Sequence, residues 1–157
     1  MVRDWIAKIG EGKEAAEQIS KKHDQREAEK QKMFESRVGE IRSELANLFY
    51  DAIQEFNSTR PQEDKVSCET RPPLVIQAQK TKFPAGYLKI EIDPVTQLLV
   101  CHYTYPQKGG FKIEGITLKF LIDLTADDYS FLCTQPNQSL NNEQLLEWVL
   151  EPFFQQL

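Results

Sequence analysis

The sequence has 157 residues and a formal net charge of −5, with 40% apolar and 27% charged residues. Its length is that of about one domain and its apolar content suffices for one core, which argues against a disordered chain. No apolar run approaches the roughly 20 residues of a membrane-spanning helix, and the N-terminal residues lack the apolar centre of a signal peptide. We therefore expect a soluble, mildly acidic, intracellular domain.

The first nine residues carry a cluster of apolar side chains, called the apolar tip below. Val2, Trp5, Ile6 and Ile9 fall on one face of a helix. Such a cluster is typical of a docking element, whereas it would be a feeble anchor on a membrane surface. For this segment we favour packing against the chain's own domain or a second copy, because large exposed apolar side chains are uncommon on monomers.

The following segment, residues 11–32, is polar and rich in helix-forming residues, with six basic and six acidic side chains. It has little apolar surface to bury, which predicts a solvent-exposed helix or a segment that orders with a binding partner. We therefore divide the chain into a polar helical arm with an apolar tip, residues 1–33, and one α+β domain, residues 34–157.

A long amphipathic helix is predicted over residues 34–56, continuous with the arm or joined to it at a hinge. The apolar side chains recur at intervals of four and three residues, which lines one side of a helix; they are Phe34, Val38, Ile41, Leu45, Leu48 and Ala52, flanked by Phe49, Ile53 and Phe56. This face is broader than a coiled-coil seam and suits a helix packed on a sheet. Pro61 disfavours helix in the residue before it.

The second half of the chain predicts a mostly antiparallel meander of four to five strands. Residues 63–73 end in two prolines and predict a loop. Apolar runs and alternation then predict strands over residues 74–80, 87–93, 98–105, 111–124 and 129–134. The apolar alternation changes phase at Gly115, which predicts a bulge or a bend there.

A C-terminal helix is predicted to begin near Asn141 or Asn142, since both are good N-caps. Pro152 is expected to kink it or to end its regular part. The helix is apolar nearly all round and therefore needs cover on more than one side. Its candidate interface residues are Trp148, Phe153 and Phe154.

Candidate catalytic and metal-binding residues are few, and no cofactor is indicated. Cys68, Cys101 and Cys133 are far apart with no Cys-x-x-Cys, which favours reduced thiols and a cytoplasmic location. His102 directly follows Cys101 in a predicted strand, so the two side chains are expected to point to opposite faces. A catalytic pair would therefore need another thiol. Three aspartates gather at one turn but lack the spacing of a calcium loop; they are Asp123, Asp127 and Asp128.

Charge is segregated along the chain. Residues 65–120 contain eight basic and four acidic side chains, whereas residues 121–157 contain six acidic and no basic ones. We expect these segments to neutralise one another in the folded protein. The alternative is a basic sheet face that binds nucleic acid through aromatic and lysine side chains; its candidates are Tyr87, Lys89, Tyr103, Lys112 and Lys119.

The sequence favours a non-enzymatic protein-interaction or self-association module, with a protein partner or a homodimer. The basis is the excess of apolar helix surface together with the lack of a catalytic motif. A helix on a curved sheet that encloses a small apolar ligand or a lipid is the first alternative. Weak nucleic-acid binding is the second.

Overall fold

A computed structural model describes residues 3–71, 75–106, 113–134 and 137–157. Over these residues it contains two α-helices, a short 3-10 helix and seven strands. The helices are α1 (Asp4–Asn57) and α2 (Asn142–Gln156), and the 3-10 helix is Gln62–Asp64. The strands are β1 (Ser67–Arg71), β2 (Val75–Lys80), β3 (Gly86–Asp93), β4 (Leu98–Pro106), β5 (Ile113–Leu124), β6 (Tyr129–Thr134) and β7 (Asn137–Leu140).

The chain divides into two compact units, Met1–Arg37 and Val38–Leu157. In the first unit the described residues form the N-terminal part of α1. Every residue from 3 to 30 is exposed, as expected for a segment with so few large aliphatic side chains. Helix α1, from Asp4 to Asn57, includes residues of both the predicted arm and the predicted amphipathic helix. Neither helix, over the described residues, is both long and apolar enough to cross a membrane.

The second unit contains a sheet in which the strands follow chain order, β1 to β7, and every neighbouring pair is antiparallel. The α+β class and the antiparallel meander are thus confirmed, but the strand number is seven, not four to five. The two missed strands, β1 and β7, are the edge strands. Both are short and polar and bury almost no side chains, so they show no apolar alternation.

The predicted bulge at Gly115 is wrong. The register between β4 and β5 runs without interruption from Pro106↔Ile113 to Leu98↔Leu121, and Gly115 pairs with Thr104. Regular pairing fixes strict alternation along the strand. The apolar residues therefore change from odd to even positions at Gly115, while the pairing of β5 with β4 stays regular.

The core of the second unit lies between the helices and one face of the sheet, called the inner face. In α1 the buried stripe is Ile41, Leu45, Phe49 and Ile53, with Leu48 and Ala52 at its half-exposed margin. On the inner face the buried side chains alternate with outward ones; they include Ile76, Ala78, Leu88, Ile90, Ile92, Leu99, Cys101, Tyr103, Phe120, Ile122 and Phe131. Asn57, 5% exposed, ends α1 and holds the start of β1, because its amide donates to Val66 O and accepts from Val66 N, each at 2.8 Å.

Helix α2 begins as the sequence predicts and ends later. Asn141 forms a capping box with Gln144, which satisfies two backbone donors of the first turn. The helix continues through Pro152 to Gln156, so of the two expected effects of the proline, a kink or an end, the end does not occur. Pro152 is exposed, whereas Phe153 beyond it is fully buried.

Candidate interaction groove

A groove of about 720 Å³ lies between the end of α1 and the outer side of α2. All of its lining residues belong to the second compact unit. Its floor is apolar and its rim is formed by carboxylates and amides. The floor consists of Ala52, Phe56, Leu146, Leu150 and Phe154, and the rim of Glu55, Glu143, Gln144, Glu147, Glu151 and Gln155. We call this site the α1–α2 groove.

The floor is held together by an aromatic stack between the two helices. The rings of Phe56 and Phe154 are parallel within 1°, and their centroids lie 3.9 Å apart. The guanidinium carbon of Arg60 lies 4.4 Å from the centroid of Phe56, an arrangement that allows a cation–π interaction. Arg60 is itself positioned by its Nε, which donates to Asp64 O at 3.0 Å. The end of α1 is thereby fixed against α2.

The rim carries charge of one sign. Glu143, Glu147 and Glu151 recur every four residues, which places them along one side of α2, and Glu55 lies on α1. All four side chains are exposed. Within the described residues, none of them lies within salt-bridge distance of a lysine or arginine, and no basic side chain lines the groove. Apart from Arg60, which lies over the Phe56 ring at one end, the charged side chains that border the apolar groove are therefore carboxylates.

A hydrogen-bond network supports the other end of α2. The Tyr129 hydroxyl on β6 donates to the Glu44 carboxylate on α1 and accepts from the Asn142 side-chain amide at 2.9 Å. Partial burial, with Glu44 nearby, raises the pKa of Tyr129 to about 12. Tyr129 is therefore protonated near neutral pH and links α1, β6 and the first turn of α2.

The candidate interface residues belong to both compact units. In the first unit, Trp5, Ile6 and Ile9 are 58%, 49% and 51% exposed. Val2 lies outside the described residues. Phe154 lies in the groove floor, whereas Trp148 is half-buried in a smaller adjoining cleft with Pro152. The two clefts share the rim residues Gln144, Glu147, Glu151 and Gln155.

Phe153 has 0% exposure and contacts the rings of Tyr103 and Tyr105. It is a core residue, so its side chain does not lie on the exposed surface of the second unit. The reason is the periodicity of α2: Leu145, Val149 and Phe153 recur at four-residue intervals and form the buried stripe.

The predicted basic sheet face is only partly assembled. Tyr87, Lys89 and Lys119 occupy outward register positions, but Tyr103 is on the inner face, 3% exposed, with its hydroxyl donating to Val149 O at 2.7 Å. Lys112 lies outside the described residues. The Nζ atom of Lys89 is 3.8 Å from the Glu91 carboxylate, so part of the positive charge is neutralised locally.

The cysteine and histidine side chains lie as strand alternation predicts. Cys101 is buried on the inner face, and burial raises the pKa of its thiol well above the ordinary range. His102 is on the outer face, with Nε2 3.4 Å from Glu91 and Nδ1 3.3 Å from the Thr117 hydroxyl. Cys133 is buried, and Cys68 pairs in register with inner-face Ala78. No cluster of three or more His, Cys, Asp or Glu side chains suited to a metal ion occurs among the described residues.

Sequence reasoning missed the groove, although part of its signal was present. The four-residue spacing of Glu143, Glu147 and Glu151 and the lack of basic residues after position 120 can be read directly. The contribution of Phe56 and Glu55 could not be read, because contact between α1 and α2 joins positions about a hundred residues apart.

Comparison with known proteins adds no family to these observations. No family model, no curated protein and no solved structure matches this chain. The fold and the groove therefore define only a class, an α+β domain in which two helices cover one face of a seven-stranded antiparallel meander.

Proposed function

We propose that this chain is a non-enzymatic protein-interaction module and that the α1–α2 groove is its docking surface. The proposal depends on one observation: an open groove with an apolar floor, formed by two helices and bordered by exposed carboxylates. Grooves between helices receive a segment of another polypeptide by burying apolar anchors in the floor, while polar groups at the rim set orientation.

The structure around the groove supports a preformed site. The Phe56–Phe154 stack and the Arg60 contact fix one part of it, and the Tyr129 network supports the start of α2. A preformed groove loses little conformational entropy when it binds, so more of the interaction free energy contributes to affinity. The apolar tip provides a second exposed apolar surface on the same chain, as a protein that joins partners would have.

The test compares two exposed positions in the full chain, each replaced by the photo-reactive residue benzoylphenylalanine. Gln144 borders the groove, and Lys119 lies on the outer face of the sheet. After irradiation in an extract of the cells that make the protein, we expect a discrete cross-linked product from position 144 and none from position 119.

Competition makes the test specific. Excess unlabelled wild-type chain should suppress the product, whereas excess Leu146→Ser chain, shown to be folded by circular dichroism, should not. A product of twice the 18.2 kDa chain mass would indicate self-association, and another mass a different protein. Equal products from both positions, or equal competition by both chains, would overturn the proposed function.

A further inference from the structure

We propose that the α1–α2 groove binds a basic amphipathic helix, with its apolar side on the groove floor and its lysine or arginine side chains beside the rim carboxylates. This inference rests on the proposed function and adds the chemistry of the partner. It depends on the dimensions of the groove, on the arrangement of its charges and on the rim carboxylates, which have no ion-pair partner among the described residues.

The dimensions favour a helix. The groove lies between two helices, and its carboxylate row from Glu143 to Glu151 spans eight residues, about 12 Å at 1.5 Å per residue. That length corresponds to about two helical turns of a ligand, which present apolar anchors at i, i+3, i+4 and i+7. A helical ligand also satisfies its own backbone hydrogen bonds, as it must when lying on an apolar floor with few backbone donors or acceptors.

The charges favour a basic ligand. Glu143, Glu147 and Glu151 border the groove along α2, and Glu55 borders it on α1, so a helix in the groove would meet carboxylates from both helices. A ligand with lysine or arginine beside its apolar stripe would place cations next to this rim. An acidic or uncharged helix of the same apolar content would gain less or be repelled.

Among the described residues the rim carboxylates have no ion-pair partner, although Glu151 accepts a hydrogen bond from the Gln155 side-chain amide at 3.3 Å. The sequence predicts that the basic middle segment neutralises the acidic end, but the ion pairs of the described residues do not follow this pattern. Lys82 pairs with Glu63 and Asp64 at 3.3 Å, and Lys89 pairs with Glu91. Among the described residues, no salt bridge joins the segment 65–120 to an acidic side chain beyond position 120.

The experiment measures binding of a defined probe to the full chain by fluorescence anisotropy. The probe is an amidated peptide of about 14 residues, roughly four helical turns, built only from repeated Lys-Leu-Leu-Lys. Its counterpart has glutamate in place of every lysine. We expect the lysine peptide to bind with one-to-one stoichiometry, the glutamate peptide not to bind, and the affinity to fall between about 0.05 M and 0.5 M salt because exposed charges are screened.

Two charge-reversed variants distinguish binding in the groove from attraction by the overall negative charge of the protein. The double substitution Glu147→Lys/Glu151→Lys changes two exposed rim residues, and Asp123→Lys/Asp127→Lys makes the same change in net charge at two exposed positions elsewhere. We expect the rim variant to lose about tenfold or more in affinity and the control variant to change by less than about threefold, as expected for a few exposed charge pairs.

Three results of the binding experiment would overturn the inference. They are equal losses in the two variants, equal binding of the lysine and glutamate peptides, or no binding of the lysine peptide. A solution mass of twice 18.2 kDa that falls to 18.2 kDa in the rim variant would show a second copy in the groove and would also overturn it. A cross-linked product at position 144 would in each case leave the proposed function standing, so the failure of one is distinguishable from that of the other.

Discussion

The aromatic stack in the groove floor provides a quantitative test of the geometry on which both proposals depend. Phe56 and Phe154 are partly exposed, so each Phe→Ala substitution should cost less than the about 3–5 kcal/mol of a fully buried phenylalanine, and we expect about 1.5–2.5 kcal/mol. Phe56→Ala should be the more costly of the two, because it also removes the contact with Arg60, worth about 0.5–1 kcal/mol at an exposed site.

The double substitution should cost less than the sum of the single ones. Once one ring is absent the other has lost its stacking contact, which is worth about 0.5–1.5 kcal/mol beyond the buried area. The four proteins would be compared by urea denaturation followed by far-UV circular dichroism, with free energies of unfolding obtained by linear extrapolation. We expect a coupling free energy of about 1 kcal/mol.

A second double-mutant cycle, with Leu132 in place of Phe154, serves as the control. Leu132 is half-buried at an outer register position of the sheet, opposite Leu121, and does not line the groove. Its substitution by alanine should combine additively with Phe56→Ala, within about 0.3–0.5 kcal/mol. A Phe56–Phe154 coupling no larger than this control value would refute the stack and, with it, the described geometry of the groove floor.

Three further predictions concern the core that supports the groove. Tyr103→Phe removes the hydrogen bond to Val149 O and should lower the free energy of unfolding, measured by urea denaturation, by about 1–2 kcal/mol. Because burial raises the pKa of Tyr103 above its ordinary 10.0, wild-type stability should fall as the pH rises above 10. This loss of stability should be smaller in the Tyr103→Phe variant. Asn57→Ala should lower the free energy of unfolding by about 2–4 kcal/mol, since it leaves the buried N–H and C=O of Val66 without their partner. A decrease in melting temperature of less than about 2 °C would contradict this. The buried Cys101 thiol should react with iodoacetamide only after unfolding, and its rapid alkylation in the native protein, located by mass spectrometry, would show that the inner face is open.

The sequence by itself determined those helices and strands whose buried side chains follow a regular spacing along the chain. The repeat from Ile41 to Ile53 specifies the core face of α1 because residues four apart lie on one side of a helix. The alternation of Leu88, Ile90 and Ile92 specifies the inner face of β3 in the same way. The start of α2 was predictable because a capping box involves only neighbouring residues.

Only the tertiary structure decided the features that depend on contacts between distant segments. The edge strands β1 and β7 are stabilised by pairing with β2 and β6, and they contain too few buried residues to leave a pattern. The assignment of Phe153 to the core and of Phe154 to the groove floor depends on which side of α2 meets the sheet and which meets α1. The groove exists because folding brings Phe56 onto Phe154. These residues are far apart in the sequence, so their contact depends on the packing of the whole core and not on either helix alone.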